Sequence, residues 1–197
     1  LMGNHFTVDG RVSRVSSMGY IDRASTNLKS LYLSTAYLSD KNDLRFNIIL
    51  GKEKTYQAWN GIPEAKLRND LSALEAHYYN NVGYLYNTPA DSINLFTSAP
   101  RKYNYFTYPN QTDNYWQNHF QLFFTHRFSA KSSFNVAGFI TPGRGYYEEY
   151  KVAQDYANYG ANYPIVSGDT VYSTDLIRQL WLMNKFYGSI FSLQHEF

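Results

Sequence analysis

The chain has 197 residues, no cysteine and a formal net charge of +2, with 17% charged residues. Without cysteine it can form neither a disulfide framework nor a cysteine-based metal site, and so small a net charge argues against the electrostatic footprint of a nucleic-acid-binding domain. Aromatic residues reach 18% and include 20 tyrosines. The apolar ring and polar hydroxyl of tyrosine suit membrane interfaces and ligand-binding loops.

Three strands are predicted in the first 55 residues, at about 3–16, 29–38 and 44–55. A strand projects successive side chains to opposite faces, so alternating apolar and polar residues indicate a sheet with one apolar face. The third strand is the clearest, because Leu44, Phe46, Ile48 and Leu50 alternate with Arg45, Asn47, Ile49 and Gly51. A connection at 17–23 joins the first two strands. A polar turn at 39–43, favoured by its Asp and Asn residues, joins the next two.

A very long connection follows at about 56–115. Pro63 is suited to the first turn of a helix, and Leu67, Leu71, Leu74 and Tyr78 recur at helical spacing. We therefore predict one short helix at about 63–77. Residues 80–110 are rich in Asn, Tyr, Ser and Pro, which predicts irregular loop.

Three further strands are predicted at about 116–128, 133–141 and 181–195. A tight turn at 129–132 joins the first pair, and a second long connection at 142–179 joins the last pair. The segment Pro142-Gly143-Arg144-Gly145 within it predicts a strand-to-loop bend. For the last strand, the set Phe186, Gly188 and Ile190 and the set Tyr187, Phe191 and Leu193 are both candidates for the outward face.

The predicted connections differ in length between the two ends of the strands. If the strands are antiparallel neighbours, the short turns lie at one end and the longer loops at the other, as in outer-membrane barrels with short periplasmic turns and long extracellular loops. Each predicted strand meets or exceeds the roughly 9–11 residues that cross a bilayer at a tilt. No run reaches the roughly 18 apolar residues of a transmembrane helix. We predict an all-β fold of antiparallel up-and-down strands that form an arc of a large outer-membrane β-barrel.

Six segments support a family resemblance. They are GYIDRAS (19–25), GKEKTYQAWNGIPE (51–64), DNYWQNHFQLFFTHRFS (113–129), GRGYYEEYK (143–151), DYANYG (155–160) and STDLIRQLWLMNKFYGSIFSLQ (173–194). Together, in this order, they resemble the β-barrel region of TonB-dependent outer-membrane receptors, particularly those of the Bacteroidota.

The resemblance implies a barrel of about 22 strands in the Gram-negative outer membrane, with a plug domain inside it. A periplasmic segment of the family meets the TonB–ExbB–ExbD complex, and its members import ferric siderophores, haem, cobalamin or glycans. An iron chelate or haem is the first expectation for the cargo here. The plug and about sixteen strands have no counterpart in this sequence, so we expect residues 1–197 to be a partial barrel within a larger protein. The absence of a recognisable signal peptide agrees with that expectation.

Binding rather than catalysis is expected, with outer-membrane lipid, cargo and the TonB complex as partners and without a cofactor, a metal or nucleic acid. His119 and His126 have an odd separation, which on a strand directs them to opposite faces. Adjacent Glu148 and Glu149 diverge in an extended chain, whereas a glycosidase needs converging carboxyls. The polar residues Arg45, Asn47, His119, Gln121 and Arg127 are expected to line the lumen. The candidate ligand contacts are Trp59, Tyr105, Tyr108, His119, Gln121, Arg144, Tyr146 and Glu148.

Two alternatives remain open. A soluble extracellular β-sandwich, such as a carbohydrate-binding module, also explains alternating strands with Tyr- and Trp-rich loops. An enzyme embedded in an outer-membrane barrel requires a converging nucleophile and base, and the sequence contains no such motif.

Overall fold

The computed structural model describes residues 5–197, and they form a largely antiparallel β structure. Six long strands make one sheet, in which each lies beside the next long strand along the chain and every neighbouring pair is antiparallel. The long strands are β1 (Phe6–Ser17), β2 (Thr26–Leu38), β3 (Asn42–Tyr56), β4 (Thr112–Ser129), β5 (Ser132–Asp155) and β8 (Ser173–His195). The short strands β6 (Ile165–Val166) and β7 (Asp169–Thr170) form a separate hairpin. The predicted all-β, up-and-down order is confirmed.

All six predicted strands are present, and several are longer than predicted. Residues 3 and 4, where the first strand was predicted to begin, lie outside the described residues. The prediction of a loop at 142–179 is wrong in extent. Strand β5 continues through the Pro142–Gly145 segment to Asp155, and β8 begins at Ser173. The connection between them is therefore only 156–172.

Packing across three strands explains why the predicted bend stays in the sheet. The β4–β5 pairing is interrupted beside Pro142, which has no N–H to donate, while Pro142 still pairs with Lys185 of β8. The ring of Tyr115 covers Gly143 and Gly145, and its hydroxyl donates to Asn184 Oδ1 of β8 at 2.8 Å. A Cβ built on Gly145 would lie 2.3 Å from Tyr115 Cδ2 and 2.4 Å from Asn114 O. These glycines allow close approach rather than a turn.

The prediction of one helix at 63–77 is wrong. Three short helices are present: α1 (Glu64–Leu67), α2 (Leu71–Tyr79) and α3 (Pro89–Thr97). Asn69 has a left-handed φ of 55° and ends the first helical segment, after which Asp70 caps α2 by accepting from Ala73 N–H. α3 lies in the segment predicted to be irregular. It begins with a capping box in which Thr88 and Asp91 satisfy each other's backbone N–H groups.

The short and the long connections lie at opposite ends of the sheet. Short turns join β2 to β3 and β4 to β5 at one end of the sheet. The connections 18–25, 57–111 and 156–172 lie at the other end. Residues 57–111, which we call the loop layer, contain all three α-helices and a buried cluster of Leu74, Tyr86, Leu95 and Tyr103. This insertion therefore has a hydrophobic core of its own. Within residues 5–197, no helix is both long enough and apolar enough to cross a membrane.

Gly145→Ala is expected to destabilise the fold by about 1–3 kcal/mol, because the new methyl group would collide with backbone atoms of β4 as well as with Tyr115. Gly138→Ala is the matched control in the same strand, where an added Cβ meets nothing within 4 Å. Thermal unfolding of the full-length protein, followed by circular dichroism, compares the two variants. Equal melting temperatures would contradict the packing described for Tyr115.

Candidate functional site

The long sheet has one face that is largely apolar, which we call the apolar face. Residues paired across strands point to the same side of a sheet, so the register defines rows that cross all six strands. Three consecutive rows contain Phe6, Tyr37, Leu44, Phe124, Val136 and Phe191; then Val8, Thr35, Phe46, Leu122, Gly138 and Ser189; then Gly10, Leu33, Ile48, Phe120, Ile140 and Tyr187. Leu122 is 48% exposed and Ile140 44%. In the last strand, Tyr187, Phe191 and Leu193 lie on the apolar face, and Phe186, Gly188 and Ile190 lie on the opposite one.

Aromatic residues flank these rows along the strands. Trp116, Tyr146 and Trp181 lie toward the loop layer, with the rings of Tyr146 and Trp181 at 4.6 Å between centroids. Phe128 and Phe134 lie toward the short turns. The apolar face therefore has an aliphatic and phenylalanine-rich centre between two aromatic borders.

The opposite face, which we call the polar face, is more covered and is linked by hydrogen bonds between strands. Ser34 Oγ donates to Asn47 Oδ1 at 2.7 Å, and Asn47 Nδ2 donates to Gln121 Oε1 at 3.2 Å, so one bonded row joins β2, β3 and β4. His119 lies within hydrogen-bonding distance of Thr141 on β5. Ser34 is only 4% exposed. Buried polar groups are satisfied here by neighbouring strands rather than by a second layer.

The polar residues predicted to line a lumen share this face. The register puts Arg45, Asn47, His119, Gln121 and Arg127 on one side of β3 and β4. Phe123, Phe139 and Phe186 share the same side, so the polar face is not uniformly polar. His126 lies on the apolar face beside Asn42, which confirms that the two histidines face opposite ways. Within residues 5–197, no group of three or more His, Asp or Glu side chains is arranged to hold a metal ion.

Polar bonds attach the loop layer to the end of the sheet. Asn104, only 1% exposed, donates through Nδ2 to the carbonyl oxygens of Asp22 and Gln57 at 2.9 and 3.0 Å. Its own carbonyl oxygen accepts from the Arg23 guanidinium and from Asn94 Nδ2. Asn104 thus joins the connection 18–25, the end of β3 and helix α3.

A buried lysine organises the interior of the loop layer. Lys66 Nζ donates to the carbonyl oxygens of Leu95 and Ser98 near the end of α3, at 2.5 and 2.8 Å. Burial lowers the pKa of this ammonium group, and nearby Asp22 partly opposes that effect. The ammonium satisfies carbonyl groups that the helix end leaves without intrahelical partners.

The tyrosines of the loop layer are held in their neutral form. Burial raises the pKa of Tyr103 strongly, and neighbouring Tyr86 raises it further. Burial also raises the pKa of Tyr105, with a smaller contribution from the charge of Asp91. These phenols therefore offer apolar rings and hydroxyl donors at neutral pH. Tyr105 uses its hydroxyl to donate to Leu85 O at 2.8 Å.

Glu148 joins the loop layer to the sheet. Its carboxylate accepts from Tyr108 Oη at 2.9 Å, from Gln179 Nε2 at 2.8 Å and from Asn110 Nδ2. Burial, followed by this hydrogen bond to Glu148, raises the pKa of Tyr108. The adjacent Glu149 pairs instead with Arg178. The two carboxylates diverge, as the extended backbone predicts, and each already has its own donors.

An open cleft of about 690 Å³ lies between the loop layer and β5, and we call it the loop cleft. Its volume is within the range usual for small-molecule sites. The Tyr108 and Tyr150 rings stack at 5.9 Å between centroids on its wall. Aromatic and polar lining residues include Tyr84, Tyr105, Tyr108, Gln111, Glu149 and Tyr150. Ring faces with nearby hydrogen-bonding groups can bind a flat or sugar-like molecule.

Seven of the eight predicted ligand contacts therefore fall into three places. Tyr105 and Tyr108 line the loop cleft, and Glu148 bonds to Tyr108 beside it. His119 and Gln121 lie on the polar face. Arg144 and Tyr146 lie on the apolar face, where Arg144 stacks on Trp181 at 4.9 Å.

Trp59 is 61% exposed and belongs to none of these groups. Its ring meets the edges of Phe106 and Tyr147, at 5.9 and 6.3 Å between centroids. Sequence reasoning missed the anchoring residues Asn104, Lys66 and Arg23. Their partners are backbone carbonyls distant in sequence, so no local motif indicates them.

Comparison of the chain with protein-family models, curated proteins and solved structures finds no match. The resemblance to TonB-dependent receptors stays a prediction from the quoted segments.

Asn104→Leu is expected to loosen the loop layer while leaving the sheet intact. A leucine of similar volume leaves the carbonyl groups of Asp22 and Gln57 buried without a donor, at a cost of about 1–3 kcal/mol. Amide exchange in 57–111 should accelerate about 5- to 150-fold, with β3 and β4 unchanged. Asn80→Leu, at an exposed position in the same layer, is the control. Similar exchange in the two variants would show that Asn104 does not anchor the layer.

Proposed function

We propose that the chain forms an arc of the β-barrel of an outer-membrane TonB-dependent transporter, which imports a scarce ligand. The observation that carries this proposal is the exposure of the apolar face. A soluble sheet covers its apolar side and exposes its polar side. Here the apolar rows are open across six strands, while the polar face holds hydrogen bonds between strands. In a barrel wall, lipid would cover the apolar face and water in the lumen would solvate the polar face.

Two further features support a membrane wall. The short turns and long connections lie at opposite ends of the strands, as in outer-membrane barrels. Aromatic residues border the apolar rows at both ends, like the interface girdles of such barrels. Six strands with two unpaired edges are too few for bacterial barrels, which begin at about eight strands, so the wall needs further strands to close.

In this proposal the mechanism is binding and transport, not chemistry. The loop cleft and its tyrosines capture cargo at the extracellular side, and the polar face lines the path. The plug and the TonB–ExbB–ExbD complex, which the resemblance implies, would supply the gating and the energy. A ferric siderophore or haem is the first cargo class to test, followed by cobalamin and glycans.

The alternative is a soluble β-sandwich that binds carbohydrate, and the aromatic loop cleft favours it. A sandwich needs a second sheet packed about 10 Å from the first. Apart from the small β6–β7 hairpin, the described residues form a single sheet. This arrangement supports the membrane wall over the sandwich.

The full-length protein should fractionate with the outer membrane, require detergent for extraction and migrate differently on gels before and after heating. A deletion strain should then grow poorly on one class of source among iron chelates, haem, cobalamin and single glycans. A product that stays soluble without detergent would exclude the barrel. Normal growth on every source would instead contradict the uptake role while leaving the barrel standing.

Leu122→Arg should impair assembly into the outer membrane, because a cation near the bilayer midplane costs about 2–4 kcal/mol. Phe123→Arg is the matched control, since Phe123 is the next residue of β4 and is 40% exposed on the polar face. The amount of heat-modifiable protein in outer-membrane fractions measures both variants. If the Phe123 variant were lost as completely as the Leu122 variant, the assignment of lipid and lumen faces would fail.

A further inference from the structure

A row of cations crosses the apolar face at its border with the loop layer. Arg14 pairs with Lys29, Lys29 with Lys52, Lys52 with Trp116, and Trp116 with Arg144. We call Arg14, Lys29, Lys52 and Arg144 the basic row. All four side chains are exposed. The next row toward the centre of the face includes Val12, Leu31 and Leu50, so the basic row directly borders apolar surface.

The basic row brings like charges together. Like charges directly opposite each other on neighbouring strands destabilise a sheet, and Arg14, Lys29 and Lys52 form such a set. Among the described residues, no carboxylate lies within 4 Å of any of the four cations. The two carboxylates further along this face, Glu148 and Asp175, already accept hydrogen bonds from other side chains. The arrangement therefore calls for an external anion.

The surroundings of the row are amphipathic. Lys52 Nζ lies 4.9 Å from the centre of the Trp116 ring, and Arg144 stacks on Trp181 at the same distance. A groove of about 810 Å³ opens beside them, with Arg144 and Lys185 as its cations and with Trp116, Trp181 and Met183 as apolar walls. A molecule held here would contact charge and apolar surface together.

We propose that the basic row and this groove bind the phosphorylated headgroup of an anionic lipid in the outer leaflet. The inference rests on the proposed function, which puts the apolar face against lipid and the long connections outside. Phosphate oxygens complement the adjacent cations, and acyl chains would continue along the neighbouring row of exposed Val12 and Leu31 and half-buried Leu50. A soluble phosphate would satisfy the charges but would gain nothing from the neighbouring apolar rows.

The test uses the full-length protein in detergent, with bisphosphorylated lipid A titrated and bound lipid counted by native mass spectrometry. The double variant Lys29→Gln, Lys52→Gln should weaken lipid A binding by about fivefold per lysine, roughly 30-fold in total. Lys29→Arg, Lys52→Arg should keep the affinity. Phosphatidylcholine should bind more weakly than lipid A to the unaltered protein, and about equally to all variants.

The matched control is Lys41→Gln, Lys131→Gln, which removes the same charge from exposed turns at the other end of the strands. It should bind lipid A as the unaltered protein does. The proposal would be overturned if the two Lys-to-Gln double variants lost lipid A affinity equally, or if neither lost any. It would also be overturned if millimolar inorganic phosphate competed for the site as effectively as lipid does. Heat-modifiable migration of every variant separates this failure from failure of the barrel itself. In unaltered protein, added salt should weaken lipid A binding but not phosphatidylcholine binding.

Discussion

The register of the six long strands is the constraint on which the other features depend. Side chains alternate between faces with a period of two, so a slip of one residue in any strand would move its polar and apolar sets to the wrong sides. The hydrogen bonds that join Ser34, Asn47 and Gln121 form only in the observed register. The crossing of Tyr115 over two glycines to Asn184 fixes the register of β4, β5 and β8 in the same way. Apolar rows, polar rows and cations all follow from this alignment.

The loop layer is stabilised differently from the sheet. Its helices are too short to be stable alone, and they are held by a small apolar cluster and by side chains that bond to backbone carbonyls. Asn104 and Lys66 each supply two of these bonds. Binding loops need such support, because a long connection without it would lose much conformational entropy when it captured a ligand. The loop cleft thus lies between two independently stabilised parts.

Much of the sheet was predictable from local patterns, and the loop layer was not. Alternation of Leu44, Phe46, Ile48 and Leu50 with their neighbours is a local signal, and it identified β3 almost to its ends. The stretch from Pro142 to Gly145 was wrongly predicted to be a bend, because its glycines make room for the ring of Tyr115, which is distant in sequence. α3 was missed although Thr88 and Asp91 form a recognisable capping box. For the candidate site, the sequence identified some residues of the cleft wall but not which of them lie together. Tyr108 and Glu148, for example, are distant in sequence and meet only in the folded protein.

The long pairing of β5 with β8 affects how far this protein reaches. Beyond Tyr147, the last residue of β5 that pairs with β4, β5 and β8 pair only with each other as far as Asp155 and Ser173, with one register shift after Lys151. This two-stranded ribbon is up to about 26 Å long at 3.3 Å per residue. In the proposed orientation this ribbon would extend away from the bilayer, and the β6–β7 hairpin belongs to the connection 156–172 that joins its two strands. Most of the residues in 156–172 are exposed, so on the proposed cell surface this connection would be accessible to large molecules such as antibodies.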